Sequence, residues 1–281
     1  MLGSERGAQL APLTIRGRTF AWGTRTFLMG IINATPDSFS GDGIARDTAA
    51  AVELACAMVD AGADMIDVGG ESTRPGHKPV SDEEEAARVL PAIASLRAAL
   101  DVPISIDTFK PSVAERAIEL GADMINCVWG AIPAVTHVAS RARVPLVVMH
   151  NRAAPDYAGD VVDDVIASLA RAAQDAIETG VPAEHIIVDP GIGFGKTPEH
   201  NIEILRRLRE FRDSLHYALL VGTSRKSFIG KITGLPVERR AFGTAASVAL
   251  SIAAGADIVR VHDVADMVSV ARVADAICRH G

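Results

Sequence analysis

Eight short apolar segments, each followed by a longer segment with helical periodicity, constrain this chain more than any other feature. Nearly continuous apolar runs of five to seven residues are typical of a parallel sheet that is covered on both faces. The predicted strands are 27–33, 65–71, 103–108, 124–128, 145–150, 186–190, 218–224 and 258–264. The predicted helices are 47–61, 82–100, 111–120, 133–142, 163–179, 199–212, 239–254 and 265–279.

A three-residue repeat supports this alternation. The triplet Gly-Ala-Asp stands directly before three predicted strands, at 62–64, 121–123 and 255–257. Its glycine suits the left-handed position that ends a helix, and we interpret its aspartates as structural. Eight strand–helix units in about 250 residues predict an α/β fold, a (β/α)8 TIM barrel over residues 27–281. Residues 1–26 form a short N-terminal extension with a predicted hairpin at 15–20.

A doubly wound open sheet is the alternative architecture. The first predicted strand is not followed by the glycine pattern G-x-G-x-x-G, which disfavours that alternative. No linker divides the chain.

The charge and the cysteine content limit which binding partners and which cellular compartment the sequence predicts. The net charge of −7 gives no general attraction to nucleic acid or to an anionic membrane. Three widely spaced cysteines imply no disulfide framework, which suits a reducing cytosol. Residues 1–24 lack the apolar core of a secretory signal, and the longest apolar run, 244–256, is too short to cross a bilayer. We therefore predict a cytoplasmic protein without membrane or nucleic-acid partners.

Polar residues gather at the predicted carboxyl ends of the strands, where a TIM barrel places its active site. They are Asn33, Asp67, Glu71, Asp107, Asn126, His150, Asp189, Ser224 to Lys226, Arg260 and His262. Burying so many polar groups is costly unless a polar ligand satisfies them. Structural interpretations stay open for several: a helix N-cap for Asp107, a buried network for Asp67, and a core position for His150.

Four loops at the same strand ends are rich in glycine and carry Ser, Arg or Lys: 33–43, 69–76, 189–196 and 222–227. Glycine lets backbone N–H groups approach an anion, and the cations can pair with it. The sequence therefore predicts an anionic ligand at this end of the barrel.

At these residues the chain resembles the dihydropteroate synthase family of pterin-binding TIM-barrel enzymes. The matching segments are 29–40, 67–76, 107–108, 189–196 with Asn201, 224–230 and 260–264. The resemblance implies a homodimeric transferase of folate biosynthesis that is a sulfonamide target. It also implies the reaction, in which 4-aminobenzoate displaces diphosphate from (7,8-dihydropterin-6-yl)methyl diphosphate with the help of Mg²⁺.

The resemblance also implies a role for each matched residue. Asp107, Lys226 and Arg260 would be catalytic. The pterin would contact Asp107, Asn126, Met149, Asp189, Phe194, Lys226 and Arg260. The aminobenzoate would contact Phe39, Thr73, Arg74, Pro75 and Ser227. The diphosphate would contact Asn33, Arg260 and His262, and Asn33 would also hold the metal.

Two departures from the family pattern stand out. Cys127 replaces a usual aspartate, and strand alternation predicts that it points away from Asn126. Asp42 is shifted by one place in the first loop, which puts its expected part in metal binding in doubt.

Three other functions remain as alternatives: a non-catalytic pterin-binding dimer, a methyltetrahydrofolate methyltransferase of the same superfamily, and an unrelated barrel enzyme such as a phosphosugar isomerase. The Lys226–Ser227 loop and the pair of Arg260 with His262 argue against the methyltransferase, whose methyl donor carries no diphosphate.

Overall fold

The computed structural model describes residues 10–34, 48–71 and 79–279. The strands are β1 Leu13–Ile15, β2 Arg18–Phe20, β3 Phe27–Asn33, β4 Met65–Gly69, β5 Ile104–Asp107, β6 Met124–Cys127, β7 Leu146–Met149, β8 Ile186–Asp189, β9 Ala218–Val221 and β10 Ile258–Val261. The helices are α1 Thr48–Ala61, α2 Asp82–Ala99, α3 Pro111–Glu119, α4 Pro133–Ala142, α5 Val161–Glu178, α6 Pro198–Arg206, α7 Leu208–Leu215, α8 Ser227–Thr233, α9 Ala241–Ala253 and α10 Val264–Cys278.

Strands β3 to β10 are all parallel and close into one barrel in chain order. Strand β10 pairs with β9 on one side and with β3 on the other, which brings Arg260 opposite Met29. The predicted (β/α)8 fold is confirmed. None of the helices in the described ranges combines the length and the apolar character needed to span a bilayer.

One predicted helix was wrong in detail, and one short helix was not predicted. The single predicted helix 199–212 is two helices, α6 and α7, because the backbone leaves the helical region at Arg207 (φ −106°, ψ 21°). The guanidinium of Arg207 binds the carboxylates of Glu210 and Asp160 at this break. The short helix α8 covers residues 227–233, of which only Ser227 had been included in a predicted loop and the rest had no predicted element.

The aspartates of the Gly-Ala-Asp repeat hold the amino ends of the strands together. Carboxylates of Asp64, Asp123 and Asp257 accept hydrogen bonds from the backbone N–H groups of Leu28, Ile104 and Leu219 on the neighbouring strands, at 2.9, 2.9 and 3.1 Å. Each preceding glycine has a positive φ, between 104° and 114°. The repeat is therefore structural and lies at the end of the barrel opposite the candidate site.

The amino end of the barrel is filled with apolar side chains. Alternate residues of the strands point inward here and pack in one buried cluster, which consists of Phe27, Met29, Met65, Met124, Val147, Ile187, Ala218, Leu220 and Ile258 together with Leu13, Ile15, Phe20 and Trp22. The antiparallel pair β1–β2 contributes to this cluster, and the Trp22 ring meets Phe27 edge-on with centroids 5.5 Å apart. Because this end is plugged, ligands can reach the interior from the carboxyl end.

Candidate active site

A polar layer follows the apolar layer inside the barrel. Strand side chains alternate between the two faces, so residues two positions apart point the same way. Met65 is followed by Asp67, Met124 by Asn126, and Ile258 by Arg260. On these three strands the inward-facing side chains thus change from apolar to polar within two residues.

Arg260 is the centre of this polar layer. Its Nε donates to Asp67 Oδ2 at 2.6 Å, and its Nη2 donates to Asp107 Oδ2 at 2.8 Å. Asn126 Nδ2 donates to the same oxygen of Asp67 at 3.0 Å. Burial raises the pKa of Asp107, and the Arg260 cation opposes that rise. Four strands are joined by this network, which holds Asp107 and Asn126 in fixed positions.

Sequence reasoning favoured a purely structural Asp67, yet Asp67 determines where two candidate ligand-binding groups lie. Its carboxylate has 0% exposure, and it orients Arg260 and Asn126 together. A carboxylate inside an otherwise apolar strand was the available signal. Its partner Arg260 lies 193 positions away, so only the closed barrel reveals the contact.

Two acceptor atoms in this layer have no hydrogen bond within the described parts of the chain. They are the Oδ1 atoms of Asp67 and Asn126, and both are buried. A buried acceptor without a partner costs free energy, so native proteins rarely leave one without a reason. A flat heterocycle with ring N–H and amino donors would satisfy both atoms.

Asp189 lies at the end of β8, opposite Met149 on β7. Its Oδ1 accepts from the N–H of Gly191 at 2.7 Å. Gly191 has a φ of 69°, and a Cβ there would lie 1.9 Å from the carbonyl oxygen of His150, so only glycine fits this turn. A carboxylate has about four lone-pair sites, which leaves capacity for ligand donors.

Lys226 connects this loop with the polar layer. Its Nζ lies 3.9 Å from the centroid of the Phe194 ring, a cation–π contact. Burial raises the pKa of both Asp107 and Asp189, and the cations Lys226 and Arg260 oppose the rise in each case. Two carboxyl groups and two cations therefore share one space at the carboxyl end of the barrel.

His262 and Asn33 meet where the barrel closes. Asn33 Nδ2 lies 3.4 Å from His262 Nε2 although the two residues are 229 positions apart. The other ring nitrogen of His262, Nδ1, lies 2.9 Å from Ser224 Oγ, which fixes the ring orientation. This group lies beside the end of β10, the strand that carries Arg260.

The positions predicted to contact the aminobenzoate, together with Asp42, are largely outside the part of the chain that the structure describes. Phe39, Asp42, Thr73, Arg74 and Pro75 lie outside the described residues. Ser227 is exposed as the first residue of α8.

Two side chains near the cluster point away from the ligand space. Cys127 packs between the sheet and the helices, on the face opposite Asn126, and burial raises its pKa to about 11. Lys196 was counted among the cations for an anionic ligand, but its ammonium group binds acceptors of the protein instead.

Known proteins are similar to this chain over nearly its whole length. The sequence profile of the pterin binding enzyme family matches residues 29–262. A dihydropteroate synthase of Clostridium beijerinckii is 46% identical to this chain over 95% of its length and 100% of that protein. The structure of Clostridium difficile dihydropteroate synthase in the presence of pteroic acid is 47% identical, with a TM-score of 0.89 over 93% of this chain and 100% of that one. The Xanthomonas albilineans enzyme with 4-aminobenzoic acid is 39% identical, with a TM-score of 0.90 over 96% of this chain and 99% of that one.

Proposed function

The chain belongs to the pterin binding enzyme family, and we propose that the carboxyl end of its barrel is the active site of a dihydropteroate synthase. The reaction joins 4-aminobenzoate to the methyl carbon of (7,8-dihydropterin-6-yl)methyl diphosphate and releases diphosphate. The observation that carries the assignment is the convergence of Asp107, Asn126, Asp189, Lys226 and Arg260, which come from five different strands or strand ends.

The pterin ring occupies the space between these groups. Asp189 accepts hydrogen bonds from the amino edge of the pyrimidine ring, where charge-assisted bonds are strong. The unpartnered Oδ1 of Asn126 accepts from a ring nitrogen, and Lys226 donates to the ring carbonyl. Met149 and the ring of Phe194 line the faces of the heterocycle.

Cations assist departure of the diphosphate. Arg260 uses Nε and Nη2 for its two carboxylate contacts. Its Nη1 donates to no group within the described ranges and is left for the ligand. This atom and the ring of His262 bind diphosphate oxygens and stabilise their charge as the C–O bond breaks. Asp107 stabilises the positive charge that develops on the pterin, and the amine of 4-aminobenzoate then forms the new C–N bond and loses a proton.

The residues present suit an Mg²⁺ ion bound with the diphosphate. The side chain of Asn33, which lies 3.4 Å from the His262 ring, would supply a hard oxygen ligand through its Oδ1. Within the described ranges, no group of three or more His, Cys, Asp or Glu side chains could hold a metal. Mg²⁺ commonly takes only one or two protein oxygens and completes its shell with phosphates and water. When bound, it neutralises charge on the leaving group.

The aminobenzoate subsite rests on the family resemblance, since Phe39, Thr73, Arg74 and Pro75 lie outside the described residues. Ser227, the remaining predicted contact, is exposed and follows Lys226 directly in the chain. A sulfonamide would occupy this subsite and compete with 4-aminobenzoate.

Diphosphate release by the purified protein tests the proposed function. With both substrates and Mg²⁺, we expect release that requires 4-aminobenzoate, decreases when EDTA is added, and recovers with excess Mg²⁺. Binding of the pterin diphosphate without aminobenzoate-dependent release would identify a non-catalytic pterin-binding protein and contradict the proposal.

We also propose a homodimer, formed through an exposed apolar face of α9 and α10. Phe242 and Leu250 on α9 are 90% and 68% exposed, and Val273 and Ile277 on α10 are 61% and 67% exposed. Val273 and Ile277 lie one turn apart on the same side of α10, Phe242 and Leu250 lie about two turns apart on α9, and α9 packs against α10. Contiguous exposed apolar side chains of this kind mark interaction surfaces.

Charged substitutions in this face are expected to separate the subunits. The double variant Leu250→Glu/Ile277→Glu should sediment as a monomer, because carboxylates cannot be buried unpaired at an interface. Leu120→Glu, which alters another exposed apolar side chain on a different helix end, should remain dimeric. Dimers of the double variant, or monomers of the unaltered protein in analytical ultracentrifugation, would contradict this interface.

A further inference from the structure

The ammonium group of Lys196 is enclosed by acceptors of its own chain. Its Nζ donates to the backbone carbonyls of Gly191 and Phe194, both at 3.0 Å, and lies 3.4 Å from the carbonyl of His150. The fourth neighbour is His150 Nδ1 at 2.8 Å. An ammonium group has three N–H donors, so these acceptors use all of them.

His150 is suited to accept a hydrogen bond from Lys196. Burial, together with the cations Lys196 and Arg152, lowers the pKa of His150 to about 3, so the ring stays neutral. Its Nδ1 can then accept while Nε2 carries the proton. The N–H of His150 also donates to the carbonyl of Asp189 at 2.9 Å. Lys196 therefore joins the end of β7 to the loop that follows β8.

The loop that Lys196 holds carries two of the proposed pterin contacts. At one end, the N–H of Gly191 orients Asp189. At the other end, the Phe194 ring lies beneath the ammonium of Lys226. Between them, the N–H of Gly193 donates to Asn201 Oδ1 at 2.6 Å, and a Cβ on Gly193 would lie only 2.9 Å from the Lys226 side chain. A small displacement of this loop would therefore move both a carboxylate and an aromatic ring at once.

We propose that Lys196 is a positioning residue for pterin binding: it touches no substrate, and its ammonium fixes the Gly191 and Phe194 carbonyls so that Asp189 and Phe194 lie correctly for the ring. The inference rests on the proposed function, since it takes the pterin to bind between these residues. It gives Lys196 a role different from that of Lys226, which contacts the ligand directly.

This role has a pH dependence that can be measured. Burial lowers the pKa of Lys196 to about 7. The charged and titratable groups that face it are His150, Arg152, Asp164, Asp189 and Lys226. As the pH rises through this pKa, the ammonium loses one donor, so its hold on the carbonyls weakens. Pterin affinity of the unaltered protein should therefore decrease on the alkaline side of neutrality.

The variant Lys196→Met tests the proposal, because methionine keeps the apolar stem and removes every donor. We expect the Kd for 6-hydroxymethylpterin, measured by calorimetry, to rise about tenfold or more. The KM for the pterin diphosphate should rise with it, whereas the KM for 4-aminobenzoate should change less than about twofold. At alkaline pH the Kd of the unaltered protein should approach that of the variant, so the ratio of the variant Kd to the unaltered Kd should decrease. Titration of the pterin itself affects both Kd values equally and cancels in this ratio.

Arg97→Met is the matched control. Arg97 is a partly buried cation at the opposite end of the barrel that binds the backbone carbonyls of Leu100 and Val102 and the carboxylate of Asp123. It should lose stability and keep its pterin affinity. Should Lys196→Met fail to fold, Lys196→Gln replaces it. Because glutamine retains an amide donor, the rise in the Kd should be smaller, and because glutamine does not titrate, the ratio of its Kd to that of the unaltered protein should still decrease at alkaline pH. Unchanged pterin affinity in a folded Lys196 variant, or an equal loss in Arg97→Met, would overturn the proposal, and neither result depends on whether the unaltered protein releases diphosphate.

Discussion

Replacing Arg260 with alanine is expected to lower the free energy of unfolding by about 3 kcal/mol and to impair binding of the pterin diphosphate. The Asp67 carboxylate, at 0% exposure, would keep only the amide of Asn126 as a donor, and Asp107 would lose its cation as well. An unpaired buried charge is among the most costly defects in a folded protein. Urea unfolding of the ligand-free protein measures this loss directly.

The ligand dependence of Arg260→Ala separates its two roles. Affinity for the pterin diphosphate should decrease about tenfold or more, because a charge-assisted bond to the leaving group is lost. Affinity for the product dihydropteroate should decrease less, since only the positions of Asp107 and Asn126 are affected. Equal losses for both ligands would contradict the placement of Arg260 at the diphosphate.

Arg212→Ala provides the control for the stability effect. Arg212 pairs at 2.6 Å with Asp257, another carboxylate at 0% exposure, at the amino end of the barrel. Its loss should destabilise the fold to a similar degree and leave the affinity for both pterin ligands unchanged. Arg260→Lys should recover only part of the function, because a single ammonium cannot bridge Asp67 and Asp107 as the planar guanidinium does.

Replacing Asp189 with alanine is expected to weaken pterin binding by more than about 2 kcal/mol. The ring would lose a charged acceptor for its amino edge, and the N–H of Gly191 would lose its partner at 2.7 Å. Asp189→Asn keeps the shape and an acceptor oxygen for Gly191 but places an amide donor where the carboxylate was. It should therefore bind almost as poorly, and calorimetry with 6-hydroxymethylpterin measures both. Near-normal affinity of either variant would exclude Asp189 from the pterin contact.

The same carboxylate predicts the acidic side of the pH profile. Only the ionised form accepts from two pterin donors, and burial raises the pKa of Asp189. Affinity is therefore full above this raised pKa and decreases as the pH falls through it, at milder acidity than an ordinary aspartate would give. Asp189→Asn should not show this decrease.

The fold could be predicted from the sequence because local patterns determine it. Strand β3 begins and ends at the predicted residues, Phe27 and Asn33, since an uninterrupted apolar run has clear limits. The break at Arg207 could not be predicted, because residues 199–212 are good helix formers. At the break Arg207 binds Glu210 and also Asp160, the N-cap of α5, and the contact with Asp160 is known only from the folded structure. Helix α8 was not predicted, because seven residues with a glycine at the centre give a weak helical pattern.

The sequence predicted which residues lie at the candidate site, but it did not predict which hydrogen bonds connect them. Strand alternation and barrel closure place Asp107, Asn126 and Asp189 at one end, and both are visible in the sequence. Which donor meets which acceptor depends on long-range geometry, such as the 193-residue separation of Asp67 and Arg260. Lys196 shows the limit most clearly, since a lysine in a glycine-rich loop looks like an anion ligand until its four protein acceptors are seen.

The most direct test of the account is a crystal structure of this protein with 6-hydroxymethylpterin bound. The account predicts one ring inside the carboxyl end of the barrel, with the side chains of Asp107, Asn126 and Asp189 all within hydrogen-bond distance of its nitrogens. A ring bound elsewhere, or one that contacts only one of the two carboxylates, would contradict the claim that these strand ends form a single pterin site.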